Sequence, residues 1–280
     1  MKVLKVTDHS VSKEKFELVK DPQYGFLITT PLPNVLELAK YYETEEYISH
    51  TDTKRNLFEK AYHLVREYAI KKKVALINKE QTKGSLLDIG CGTGDFLAAA
   101  KNNGWSVTGI EPNEDARAKA NIKTSNSVYD ISKLEYLPEN SFDVITLWHV
   151  LEHLPNLELH ILVFKKLLKS NGSLIIAVPN HNSFDAIHYN EFWAAYDVPR
   201  HLWHFSQTSI KNLFQNFKIE LNKTIPMKFD SFYVSLLSEK YKTGKQNILK
   251  AFWIGFRSNL KAKHTSEYSS LIYVFKNLKN

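Results

Sequence analysis

Three stretches of this 280-residue chain concentrate side chains able to do chemistry. The first is LLDIGCGTGDF, residues 86–96, where Asp88 stands just ahead of a loop carrying Gly90, Cys91, Gly92 and Gly94. Glycines in such a turn let the backbone approach a ligand closely and take positive φ. The second is WHVLEH, residues 148–153, in which Trp148 and His149 precede Glu152 and His153. The third is FWAAYDVPRHLWHFS, residues 192–206. There Arg200, His201 and His204 can hold an anion or take a proton, while Trp193, Tyr196 and Trp203 offer apolar walls to a substrate. The bland alternative is that Asp197 pairs with Arg200 and the histidines only fix the loop.

Spacing sharpens the first stretch. Glu111, followed by Pro112, ends the next apolar run about 20 residues on, where a dinucleotide fold places its ribose-binding acid. Two carboxylate oxygens suit two vicinal hydroxyls. The loop reads GxGxG rather than GxGxxG, and a carboxylate as close as Asp88 repels a pyrophosphate. It welcomes instead a ligand carrying an ammonium group and a positively charged sulfur.

The elements that must position these residues follow from periodicity. SLLDI, WSVTGI, FDVITLW and SLIIAVP are short, apolar and bounded by turn signals, as buried strands are. Between them DFLAAAKNN, EDARAKA and LELHILVFKKLLK have helical spacing. Strand and helix in alternation predict an α/β fold with a Rossmann-like, mostly parallel sheet covered on both faces, closed by an antiparallel final strand, YSSLIYVFK. Before it lie the helix SQTSIKNLFQNF, an aromatic stretch around Phe229–Tyr241 and a further helix. Residues 1–33 read as a small β segment (VLKV, FELVK, FLITT), and 34–82 as a helical lid with helices over Leu36–Tyr47 and Lys54–Ile77. Residues 83–280 form the main domain with substrate-side additions near its C-terminus.

LLDIGCGTGDF, GIEP and LPENSFDVITLWHVLEHL together resemble the successive motifs of class I S-adenosylmethionine-dependent methyltransferases, over about residues 84–180. The resemblance implies S-adenosylmethionine as cofactor, with S-adenosylhomocysteine as product. It implies that Asp88 lies near the methionine amino group, that Gly90, Cys91, Gly92 and Gly94 run beneath the cofactor, and that Glu111 binds the ribose diol. Asp130 is similar to the acid that meets the adenine amino group, and Trp148 and His149 should border the methionine end. The DVPRHLWHFS segment resembles a bacterial small-molecule branch of these enzymes. So does FELVKDPQYGFLITTPLP, which is similar to a zinc-knuckle opening but has Asp21 and Tyr24 at the cysteine positions, so that metal binding there is lost. YYETEEYISHTDTK suggests Tyr41, Tyr47 and His50 as lid residues.

HVLEH also has the H-x-x-E-H spacing of inverted zinc peptidases. That chemistry needs both histidines on an established helix with a third ligand. Here His149 falls where a strand ends, so no metal is expected; the alternative is a divalent ion bound by Glu152 and His153, since some quinone-pathway O-methyltransferases with a similar segment use one. His149, His201 and His204 are the candidate bases for an acceptor hydroxyl or amine. The expected partner is a small molecule such as a quinone precursor, a sugar or an envelope metabolite. LWHV stands where enzymes that methylate nucleic-acid bases carry N/D-P-P-Y/F, which disfavours nucleic acid despite a net charge of +7. RNA or protein methylation and a non-catalytic cofactor-binding module are the competing readings.

Composition fits: 43% hydrophobic and 24% charged residues suit a globular chain. A single cysteine excludes an internal disulfide and suits a reducing compartment. No run approaches the roughly 18 apolar residues of a membrane span, and MKVLKVTDHS has no signal-peptide core, so a cytoplasmic enzyme is expected.

Overall fold

The computed structural model describes residues 4–34, 37, 39–42 and 57–277. The first structural unit is an antiparallel sheet of β1 (Leu4–Thr7), β2 (Lys15–Lys20) and β3 (Leu27–Thr30). The β2–β3 turn is held by its own side chains. Asp21 Oδ1 accepts from the backbone N–H groups of Gln23 (3.0 Å) and Tyr24 (2.6 Å), and the Tyr24 hydroxyl donates to Glu158 at 2.7 Å. Asp21 thus closes an Asx turn.

Most of the expected Leu36–Tyr47 helix, with Tyr47 and His50, lies outside the described residues. Within them Ala39–Tyr41 is a single 3-10 turn, and Tyr41 is buried against Phe16 rather than poised as a lid. Helix α1 (Leu57–Glu80) leads into the main sheet.

That sheet comprises β4 (Ser85–Ile89), β5 (Ser106–Ile110), β6 (Val128–Tyr129), β7 (Phe142–Trp148), β8 (Leu168–Pro179), β10 (Ile219–Pro226) and β11 (Ser270–Asn277). The intervening α2 (Asp95–Asn102), α3 (Glu114–Thr124) and α4 (Leu157–Leu167) are the expected crossover helices. α4 stops two residues sooner than its periodicity suggests, because Leu168 and Lys169 already belong to β8. The order is β10-β11-β8-β7-β4-β5-β6, with the core strands parallel and β11 antiparallel to both neighbours. β11 is therefore the antiparallel final strand, set one place in from the edge. β10, which the sequence pattern did not reveal, covers it. Its residues IELNKTIP are half-exposed and only weakly alternating.

The order of winding reverses between the parallel β4 and β7, since β4 leads outward to β5 and β6 while β7 leads the other way to β8. In open α/β sheets ligands bind outside the strand carboxyl ends at such a switch point. The two sheet faces are packed by separate apolar clusters, one centred on Ile145, Phe164 and Phe214, the other on Leu86, Leu97 and Val144. A third cluster joins the N-terminal sheet to α5 (Phe184–Tyr189), α7 (Asp230–Thr243) and α8 (Ile248–Thr265), which lie beyond β8 and β10. Between α5 and α6 (Gln207–Asn216), the short β9 (Trp203–His204) pairs with β3 and so stitches the small sheet to the large domain.

Candidate active site

Asp88 points from β4 into the switch point. It is buried, and the Thr146 hydroxyl donates to its Oδ1 at 2.6 Å from the neighbouring β7. Burial raises its pKa to about 7, a shift that Thr146 and the Lys73 ammonium only partly offset. A buried carboxylate with a costly charge is one that a bound cation would stabilise. Lys73, from α1, lies 4.4 Å over the Trp148 ring. Burial lowers its pKa, against the pull of Asp88 and Asp230.

The glycine turn begins at Gly90, whose φ of 67° favours glycine and whose absent Cβ leaves room for Val150. At Gly92, with φ of 55°, an added Cβ would meet nothing within 4 Å, so the loop presents open space there. Glu111, at the end of β5, accepts from Gly92 N (2.7 Å) through one oxygen and from Asn113 N (3.0 Å) through the other. It is thereby fixed against the loop with lone pairs to spare. Pro112 follows, its carbonyl accepting from Arg117 at 2.9 Å. Cys91 packs in the loop, and burial pushes its thiol pKa upward, which removes thiolate chemistry. Asp130 caps the turn after β6 through Ser132 N (3.0 Å) and lies 3.6 Å from Arg117.

β7 ends at Trp148, and His149 turns the chain with φ of 58°. Residues Leu151–His153 form one 3-10 turn, so the HVLEH residues do not share a regular helix. Trp148 packs edge-on against Phe96, and its buried Nε1–H has no hydrogen-bond partner among the described residues. His149 Nδ1 lies 3.4 Å from Glu152 Oε1 and its Nε2 3.2 Å from Asp230 Oδ2. Burial opposes its charge, but the two carboxylates outweigh it and raise the pKa to about 9. His149 is therefore an imidazolium at neutral pH, a donor rather than a resting base.

Behind it, Glu152, His153 and His201 bring ligand atoms within 4.8 Å of one another. Both Glu152 oxygens are buried, Oε1 in an ion pair with His149 and neither in a close hydrogen bond among the described residues. His153 Nδ1 lies 3.0 Å from the Arg200 carbonyl and His201 Nδ1 2.9 Å from the Ala195 carbonyl. Each ring thus donates from Nδ1, since carbonyl oxygens only accept. Burial, with help from His201, depresses the His153 pKa to about 4. This donor set was not expected, because His201 comes from a distant loop.

The third stretch departs most from expectation. Arg200 is buried and fully engaged, with Asp8 at 3.0 Å, Asp197 at 2.6 Å, the Tyr41 carbonyl at 3.0 Å, and Ser10. Its guanidinium faces protein groups rather than an anionic ligand. His204 is enclosed, its Nε2 2.9 Å from the Thr29 hydroxyl, and burial drives its pKa well down, so it ties β9 to β3 as a neutral ring. Trp193 and Tyr196 are core residues of the third cluster, the former donating to Asp185 at 2.8 Å, and so line no open wall. Trp203 donates to the Leu154 carbonyl at 2.8 Å and packs on Phe26. Of that stretch, His201 alone joins the Glu152 group. Two contributors escaped sequence reasoning, Lys73 inside an ordinary amphipathic helix and Asp230 at the start of α7. The only hint of the latter was an acid opening the aromatic stretch.

Residues 61–222 match the model of the methyltransferase domain family. The chain belongs to that family, and its architecture is that of the S-adenosylmethionine-dependent class I enzymes. Among curated proteins it is similar to the ubiquinone biosynthesis O-methyltransferases of Rickettsia akari (31% identity over 158 residues, 51% of this chain and 59% of that protein) and Rickettsia typhi (32% over 162 residues, 52% and 61%). The corresponding Coxiella burnetii protein is 32% identical over 117 residues, 40% of this chain and 50% of its own length. The chain thus spans about half to three-fifths of the length of these relatives.

Solved structures share the fold. Magnesium protoporphyrin IX methyltransferase from Synechocystis superposes with a TM-score of 0.57 at 14% identity, covering 87% of this chain and all of that one. An Archaeoglobus fulgidus S-adenosylmethionine-dependent methyltransferase gives 0.51 at 21%, covering 79% and 98%.

Proposed function

We propose that this protein transfers the methyl group of S-adenosylmethionine to an oxygen of a small-molecule acceptor. The observation that carries the reading is the buried, ligand-seeking carboxylate of Asp88 at the β4/β7 switch point, facing an open glycine turn and an unpartnered Trp148 N–H. The O-methyltransferase relatives support the choice of oxygen.

When bound, the cofactor supplies an electrophilic methyl on a sulfonium. Asp88 holds its ammonium group, Glu111 its ribose hydroxyls and the Asp130 region its adenine edge. Trp148 and Lys73 wall the methionine end. His149, held between Asp230 and Glu152, sets a positive charge beside the acceptor oxygen, which favours acceptors that arrive as oxyanions. Methyl transfer is an in-line displacement, so these residues contribute chiefly by alignment, which can supply about 7–11 kcal/mol.

The test is turnover of labelled S-adenosylmethionine with a panel of catechols and hydroxybenzoates. O-methylated product that disappears in His149→Gln is the expected result. Tight cofactor binding without transfer to any oxygen acceptor would instead favour a binding module.

The Glu152, His153 and His201 group supports a second reading, that a divalent cation assists. Carbonyl-oriented imidazoles beside a buried carboxylate are a donor set a metal ion accepts. Such an ion would lend Lewis-acid stabilisation to an acceptor oxyanion. Metal analysis of purified protein, with Glu152→Gln and His201→Gln as controls, separates the readings: metal content lost in both variants supports this one, and none in the wild type removes it.

A further inference from the structure

Helix α8 (Ile248–Thr265) is apolar on two opposite faces. Ala251, Ile254, Gly255, Ser258 and Ala262 are buried, at a spacing of one or two turns, and Gly255 lets the helix approach the α7 backbone at Phe232. At 100° per residue, Leu249, Phe252, Trp253, Phe256 and Leu260 fall on the diametrically opposite stripe. That stripe faces solvent: Leu249 is 85% exposed, Phe252 60% and Trp253 56%, with Ile248 beside them at 60%. It extends about 16 Å along the axis. The rings are ordered among themselves, Phe252 stacking on Phe232 with centroids 5.1 Å apart and Trp253 on Phe256 at 6.0 Å.

Charge identifies what covers this face. Residues 240–266 contain seven lysines and arginines and no aspartate or glutamate. Lys250, Arg257 and Lys261 line one flank of the apolar stripe, the latter two over the Phe184 ring at 5.4 and 4.1 Å, while Lys263 lies within the stripe itself. Contiguous exposed apolar surface marks an interaction site. A protein interface core is depleted in lysine, and a second copy would set two all-basic segments against each other. Aromatic and leucine side chains flanked by lysines are what an interfacial helix presents to lipid, since the rings sit at headgroup depth and the ammonium groups reach the phosphates. No described helix is long and apolar enough to cross a bilayer, so α8 would lie on the surface rather than span it.

We infer that the outer face of α8 docks the protein on an anionic lipid surface. The inference does not depend on the methyl-transfer reading, but the two meet in one hairpin. α7, the partner of α8, begins with Asp230, which backs His149, so a bilayer under α8 would lie close to the acceptor side of the site.

The test is co-sedimentation of the full chain with vesicles of phosphatidylcholine alone or with 30% phosphatidylglycerol. At least tenfold stronger binding to the anionic vesicles is expected, weakened in 0.5 M salt. The double variant W253E/F256E should lose at least tenfold of that binding with an unchanged circular dichroism melt. Should that variant fail to fold, brominated lipids provide the second measurement: they should quench wild-type fluorescence more than that of Trp253→Phe, which still binds. Equal binding to neutral and anionic vesicles, no binding to either, or full binding by folded W253E/F256E would overturn the inference. So would a wild-type dimer in sedimentation velocity that the double variant dissolves.

Discussion

Two regions of this molecule are equally rich in residues able to do chemistry, and the structure uses them in opposite ways. At the ends of β4, β5 and β7, polar groups are left over: among the described residues the Trp148 N–H has no hydrogen-bond partner, the buried Glu152 carboxylate has only its ion pair with His149, and Gly92 faces open space. In the 192–206 segment nearly every polar group is consumed. Arg200 is saturated by Asp8, Asp197, Ser10 and the Tyr41 carbonyl, Trp193 by Asp185, and His204 by Thr29. A cluster of arginine, histidine and tryptophan is therefore no site in itself. What distinguishes a site is polar capacity that the fold leaves unspent, because burying an unpaired group is costly unless a ligand repays it.

The comparison is broken most decisively at Arg200. Arg200→Met leaves the Asp8 and Asp197 carboxylates without their cation; burial opposes the Asp8 charge, and Arg200 with the backbone N–H groups of Ser12 and Val11 holds that carboxyl well below the usual carboxylate range. Breaking one side of a buried pair costs about 3–5 kcal/mol. Chemical denaturation should show that loss, while cofactor affinity of the folded fraction stays within about twofold. Normal stability with lost binding would place Arg200 in the site after all.

Asp88→Asn should do the reverse. Hydrogen bonds to charged groups are worth about 1.5–3 kcal/mol, so cofactor affinity should fall about tenfold to a hundredfold by calorimetry. Stability should hold or rise, because the substitution removes a carboxylate whose charge the fold disfavours. A marked loss of stability with affinity intact would move Asp88 from the seat of the cofactor to the frame of the sheet.

These two residues also measure how much was legible in the sequence. Asp88, the glycine turn and Glu111 lie within one β-α-β unit, so their juxtaposition follows from local periodicity and a tight turn. Strand and helix order followed in the same way. Arg200 pairs with Asp8 from a separate sheet, and His149 with Asp230 from an addition beyond β10. No period of 2 or 3.6 residues encodes such contacts, since they arise only once β9 has joined β3 and the α7–α8 hairpin has packed. β10 was missed because its half-exposed residues alternate too weakly to stand out.

pH sharpens the Asp88 half. Its pKa stands near 7, above the ordinary 3.8, so the folded chain holds a proton there that the unfolded chain has released. Its contribution to stability is therefore present below about pH 4 and fades as pH rises through 7. Binding of a cation runs the other way, because only the carboxylate attracts it. Affinity for S-adenosylmethionine should rise several-fold from pH 6 to pH 8 and level off above that. In Asp88→Asn the profile should flatten; a slope that survives the substitution would assign the titration to another group.

The smallest expected effect lies in the consumed region. Thr29→Val keeps side-chain volume but removes the hydroxyl that donates to the His201 carbonyl at 2.7 Å and meets His204 Nε2 at 2.9 Å. Two neutral contacts of this kind are worth about 1–2 kcal/mol together. That loss should appear in denaturation midpoints, with kcat unchanged once an acceptor is in hand. His204 is neutral and sealed behind β3, so a weaker tie should loosen the joint between the sheets without altering the chemistry. If kcat falls instead while stability holds, His204 is coupled to the reacting atoms, and unspent polar capacity is too strict a criterion for a site in this fold.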